Sequence, residues 1–158
     1  MRIVIPSSTL YIQFKVIMQS IHPFLKYGVA YLATLTIMVA LDLLWLGLVA
    51  KPIYQRGIGH LMAPEPDIAV AALFYAIFAL GLMIFAVVPH SAAAGWSQVV
   101  VHAALFGFFT YATYDLTNLA TLRNWPVGLS ILDIGWGTLV SALSASAGKA
   151  VLGRLSSG

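Results

Sequence analysis

Apolar residues fall into four blocks, each long enough to cross a bilayer, separated by short stretches where proline, glycine and charge collect. The first block runs over residues 27–50, about 24 positions, which at 1.5 Å each cover a hydrocarbon core about 30 Å thick with some tilt. Lys51-Pro52 is expected to stop it and to open a loop rich in proline, glycine and charge that reaches Asp67. A second span follows over 68–88, with Asp67 as N-cap and Pro89-His90 as its close. The third covers 97–119 and turns polar in its last turns, at Tyr114-Asp115-Leu116-Thr117-Asn118. After a turn at Arg123-Asn124-Trp125-Pro126, the fourth covers 126–152, with Pro126 suited to a first helical position. This pattern predicts an all-α membrane protein, a four-transmembrane-helix bundle with both termini on the same side.

Residues 1–24 are mixed rather than continuously apolar and form an N-terminal extension to a single four-span membrane domain over 25–155. Leu10, Ile12, Phe14, Ile17, Met18 and Ile21 could make one face of an interfacial helix, with Gln13, Lys15 and Gln19 opposite. No small-residue cleavage site follows a clear apolar run, which argues against a cleaved signal peptide, and Met18 offers an alternative start.

Composition agrees with the pattern. Hydrophobic residues make up 61% of the 158 and charged residues only 8%, with mean hydropathy +0.94. A soluble domain carries roughly 25% charged residues. The absence of cysteine excludes disulfides, thiolate metal sites and cysteine nucleophiles. The net charge of +3 does not indicate nucleic acid, because the basic residues are scattered singly. Arg2, Lys15, Lys26, Lys149 and Arg154 flank the terminal side, against Lys51, Arg56 and Arg123 on the other, which favours cytoplasmic termini.

Against this background three acidic residues stand out, since Asp42, Asp115 and Asp133 are the only ones inside the spans. An aspartate at bilayer depth costs on the order of 2.5–3.5 kcal/mol on insertion scales, so it requires a partner or a purpose. With alternating helix directions all three fall in the leaflet next to the 51–67 and 120–125 loops. Helical spacing puts Tyr111, Asp115 and Asn118 on one stripe, Asp42 and Trp45 on a second, and Asp133, Trp136 and Gly137 on a third. The fourth span adds Gly137, Ser141 and Ala145 every four positions, a spacing that allows close helix packing.

Three chemistries suit such a cluster: oxygen ligation of a hard cation such as Mg²⁺ or Ca²⁺, a shared proton among carboxylates, or pairing with Lys51, Arg56 or Arg123 at the mouth, where an arginine could also hold a lipid phosphate. The plain alternative is that an aspartate only accepts bonds from Trp or Tyr, or fixes helix register in an ion pair. Trp45, Trp96, Trp125 and Trp136 read as packing or interfacial anchors, and His60, His90 and His102 lack metal-ligand spacing. No phosphate loop, nucleophile elbow or zinc signature occurs, so neither a catalytic residue nor a cofactor is assigned.

The segment Gly107-Phe108-Phe109-Thr110-Tyr111-Ala112-Thr113-Tyr114-Asp115-Leu116-Thr117-Asn118-Leu119-Ala120-Thr121-Leu122, followed by Trp125 and by Asp133-x-x-Trp136-Gly137, resembles the signature of an uncharacterised bacterial membrane family, the domain-of-unknown-function 2177 family. Asp42-x-x-Trp45-Leu46-Gly47 and the following Tyr54 resemble its first-span pattern, so the likeness covers about residues 27–150. The resemblance implies a small multi-span inner-membrane protein without an assigned activity, and by motif position it points to Asp42, Trp45, Tyr114, Asp115, Thr117, Asn118, Asp133 and Trp136.

The leading expectation is an inner-membrane protein, set in the lipid bilayer and able to form a homo-oligomer through its fourth span, with an acidic site that binds a proton or cation, coupled to movement of a small solute. Two others stand beside it: an enzyme or accessory protein acting on lipids, with Asp115 and Asp133 as acid/base groups, and a structural subunit of a membrane complex. Transport calls for a polar opening to both faces in some state, lipid chemistry for a side opening between helices at the aspartate level.

Overall fold

The computed structural model describes residues 7–91 and 95–156, with side chains described from residue 24 onward. All regular elements among the described residues are helical. Helix α1 (Ser7–Trp45) continues through a π-helical turn at Leu46–Ala50 into α2 (Lys51–Ile58) and a 3₁₀ turn at Gly59–Leu61. Helix α3 (Ile68–Leu82) likewise ends in a π-helical turn at Met83–Val87, and α4 (Trp96–Thr121) and α5 (Val127–Ser156) complete the chain. Four stretches are long and apolar enough to cross a membrane: Phe24–Leu61, Ile68–Val87, Trp96–Thr121 and Val127–Ser156.

The first of these differs from expectation at both ends. From Ser7 the backbone is helical and continuous with the first span, so residue 24 marks no break in the helix. The apolar face expected on residues 10–21 lies outside the described side chains, and Arg2 lies outside the described residues. At the other end Lys51-Pro52 does not stop the helix. Proline lacks an N–H and its ring collides with the carbonyl four residues back, which ordinarily ends or kinks an α-helix. Here the π turn resets the ladder, the Lys51 N–H reaching the Leu46 carbonyl, and Pro52 falls in the first turn of α2, where no donor is required of it. The same device recurs in α3, where the Val88 N–H donates to the Met83 carbonyl (2.9 Å) and Pro89 follows at once. Each π turn therefore sits at one fixed offset ahead of a proline. Straight, the 38 residues of Phe24–Leu61 would extend about 57 Å, nearly twice the thickness of a hydrocarbon core.

Local signals place the other ends. Asp67 Oδ1 accepts from the amides of Ala69 (2.9 Å) and Val70 (3.1 Å), the N-cap expected for α3. Asn124 takes the left-handed conformation (φ 61°) that closes the turn between α4 and α5, a conformation Asn tolerates better than most residues. Pro126 stands one residue ahead of α5 and offers its carbonyl to Leu129 (3.1 Å) and Ser130 (3.3 Å).

Helix α5 is the centre of the bundle, packed on α4 along one side and α1 along the other, while α3 leans on α1 and meets α4 and α5 chiefly through its π-helical end. Small residues allow this. A side chain at Gly107 would overlap the Gly137 carbonyl and Ser141, one at Gly137 would overlap the Tyr111 ring, and one at Gly148 would overlap Thr34. Gly137, Ser141 and Ala145 are accordingly buried against neighbouring helices of the same chain. The face expected to offer a contact to a second copy is thus packed on helices of its own chain. The four-residue stripe ends at Lys149, also buried, whose Nζ donates to the carbonyls of His90 (2.9 Å) and Ser91 (2.8 Å) just past the end of α3. A buried ammonium there satisfies carbonyls left over at a helix C-terminus.

Candidate functional site

Asp42 of α1, Asp115 of α4 and Asp133 of α5 are all buried, and all lie toward the end of the bundle where α2 joins α3 and α4 joins α5. Asp42 Oδ1 accepts from Trp136 Nε1 (2.7 Å), and the Tyr75 hydroxyl of α3 approaches the same carboxylate. Asp133 accepts a hydrogen bond from the Tyr54 hydroxyl. This bond depends on the continuation of the first helix past Pro52, which carries Tyr54 over the start of α5; nearby, a side chain at Gly57 would press on Pro126. Asp115 is 0% exposed and neither of its oxygens reaches hydrogen-bonding geometry. Ser130 and Trp125 bring their polar atoms toward it, but Trp125 Nε1 donates to Ser130 Oγ instead (3.0 Å). Asp133 lies within electrostatic range of both other carboxylates, and Tyr111 within range of all three.

Beside Asp133 is a cleft of about 400 Å³ lined by Tyr54, Phe74, Phe78, Thr110, Tyr111, Tyr114 and Asp133. It exists because α3 and α4 are held together at their π-helical end and only bridged by rings elsewhere, Phe78 standing edge-on to Phe106 (5.2 Å between centroids) and to Tyr111 (6.0 Å). Phe74 and Tyr114, 43% and 57% exposed, stand at its outer edges, so it opens sideways between the two helices.

The remaining expected residues divide clearly. Trp45 stacks on Trp136 with centroids 4.4 Å apart and planes 6° from parallel, which ties α1 to α5 beside Asp42. Its Nε1 is buried without a hydrogen-bond partner, as is Asn118 Nδ2 one turn from Asp115. Tyr114 turns its ring against Trp125 (6.0 Å, near perpendicular). Thr117 is exposed and its hydroxyl returns to the Thr113 carbonyl (2.6 Å), away from the aspartates. Lys51, Arg56 and Arg123 are exposed, with Arg56 Nε donating to the Pro52 carbonyl (3.1 Å). Among the described residues no Lys or Arg is bonded to Asp42, Asp115 or Asp133.

Sequence reasoning missed the partner roles of Tyr75, Ser130 and Lys149, and quoted Tyr54 only as part of a resemblance. Lys149 alone had a readable signal, its place at the end of the Gly137–Ser141–Ala145 stripe. The rings of His90 and His102, which lack metal-ligand spacing in the sequence, pack 4.1 Å apart. Among the described residues no group of three or more His, Asp or Glu side chains converges enough to hold a metal ion.

The family described as a predicted membrane protein, DUF2177, matches residues 27–150. No curated protein and no solved structure matches the chain.

Proposed function

Because the chain belongs to the DUF2177 family of predicted membrane proteins, we propose that it works as a multi-pass protein of the bacterial inner membrane, both termini cytoplasmic, in which Asp42, Asp115 and Asp133 form an acidic site that binds a proton or cation in step with movement of a small solute. The observation that carries this reading is three buried carboxylates on three spans with no basic side chain bonded to them among the described residues. Closely spaced carboxylates in a low-dielectric interior do not all remain charged without compensation. Protons or a bound cation supply that compensation, and a site that exchanges one for the other can couple the two. The Trp136 and Tyr54 hydrogen bonds hold Asp42 and Asp133 in place, while Asp115, without a bond, has the most to gain from a proton.

A second reading, action on lipids, is favoured by one feature, the sideways cleft that reaches Asp133. In that case Asp133 stands at the cleft and Asp115 behind it as acid/base groups.

Infrared spectra of the reconstituted protein across pH test the acidic site. The carbonyl stretch of a protonated carboxylic acid should be present, should fall as pH rises, and should weaken in at least one of Asp42→Asn, Asp115→Asn and Asp133→Asn with folding retained. A spectrum without such a band from mildly acidic to alkaline pH would overturn the proton reading.

A further inference from the structure

We propose that the cleft between α3 and α4 binds an organic cation, a substituted ammonium group on an apolar body, with Asp133 as its counter-charge and Phe74, Phe78, Tyr111 and Tyr114 as its cage. This deepens the acidic-site reading and rests on it for Asp133 alone.

Four properties of the cleft converge on that class. Its volume, about 400 Å³, lies within the roughly 300–1,000 Å³ typical of small-molecule sites. Its walls are aromatic, and the rings are set at steep angles, Phe74 to Phe78 at 53° and Phe78 to Tyr111 at 81°, so that they enclose the space from different directions. Aromatic faces carry negative quadrupole potential and attract cations, quaternary ammonium groups in particular. The lining contains one carboxylate, Asp133, and no basic side chain, which makes it hostile to phosphate and other anions. A small hydrated metal ion is poorly served as well, because aromatic carbon cannot replace its water shell. Substituted ammonium ions hold water weakly and carry apolar bulk, so the same walls suit them.

The hydrogen bond from Tyr54 also has a role here. Tyr54 itself lines the cleft, and its hydroxyl holds the Asp133 carboxyl at the cleft wall through one oxygen, Oδ1. The sideways opening past Phe74 and Tyr114 gives an amphipathic cation a route from the bilayer without crossing the packed interface of α4 and α5.

Calorimetric titration of the full chain in a nonionic maltoside detergent with benzyltrimethylammonium tests this. Two probes accompany it: neopentylbenzene, which has carbon in place of the charged nitrogen, and benzylphosphonate, which reverses the charge. The cation should bind saturably at one site per chain, the neutral isostere at least about tenfold more weakly, and the anion not measurably. Tyr111→Leu and Phe74→Leu should each weaken the cation by about 2- to 30-fold, and Phe109→Leu, outside the cleft, should leave it unchanged. Asp133→Asn should weaken it as well, with thermal unfolding as the folding control. Added phosphatidylcholine should compete if the natural cation is a lipid headgroup, and should not if it is a free amine. Equal binding of neopentylbenzene, binding of benzylphosphonate, or unchanged affinity in both ring variants would overturn the proposal. The infrared carboxyl band is independent of the aromatic wall, so its survival would separate failure of the cage from failure of the acidic site.

Discussion

Tyr54 reaches Asp133 across 79 positions of sequence, and that bond joins α2, the continuation of the first helix, to α5. Removing its donor leaves a carboxylate oxygen in a buried residue without its partner, which ordinarily costs about 1–3 kcal/mol. Tyr54→Phe is therefore expected to lower stability by that amount in chemical unfolding in detergent. Tyr54→Phe with Asp133→Asn should cost less than the two singles added, because they share one interaction. Lys149 works the same way at the other end of the bundle, where its ammonium holds the His90 and Ser91 carbonyls. Lys149→Met keeps the bulk and loses the charge-assisted bonds, so a loss of about 1.5–3 kcal/mol is expected in the same assay.

Among elements, α5 carries the tightest constraint. Its small residues face α4 and α1 closely enough that added atoms have nowhere to go, and inserting methylenes into such a packed site costs typically 1–3 kcal/mol. Ser141→Leu should reach at least about that figure in unfolding, while Leu143→Met, on the exposed face, should stay within about 0.5 kcal/mol. A Ser141→Leu variant as stable as wild type would mean that α4 and α5 do not approach as closely as Gly107 and Gly137 indicate. The π turns belong to this scale too. Both precede a proline at one spacing, and the first allows the helix to go on and bring Tyr54 to Asp133.

For the whole molecule, the five-to-three excess of Lys and Arg flanking the termini leads us to propose that both termini are cytoplasmic. A reporter fused after residue 158 should read cytoplasmic, and one inserted at 62–67 should read external. The opposite pair of signals would invert the protein in the membrane and carry the aspartates to the other leaflet. Shortening the chain by residues 1–17 should leave insertion and thermal unfolding largely unchanged, since no continuous apolar run lies in that segment. Loss of the inserted protein on truncation would show that this segment packs on the bundle.

Four spans and their all-helical character were legible in the sequence, because hydropathy and helical rise act along the chain and need no knowledge of neighbours. The small-residue stripe of α5 was legible as a packing face for the same reason, although not the partner it packs against, since Gly107, Tyr111 and Thr34 come from other helices. What happens at Lys51-Pro52 was not legible. A proline read locally ends a helix, and only a π turn supported by surrounding packing allows the helix to pass it. The pairings Trp136 to Asp42 and Tyr54 to Asp133, and the aromatic cleft between α3 and α4, depend on how four helices rotate about their axes and where two of them stand apart. Those rotations are set by close contact between distant segments, so only the tertiary structure decides them.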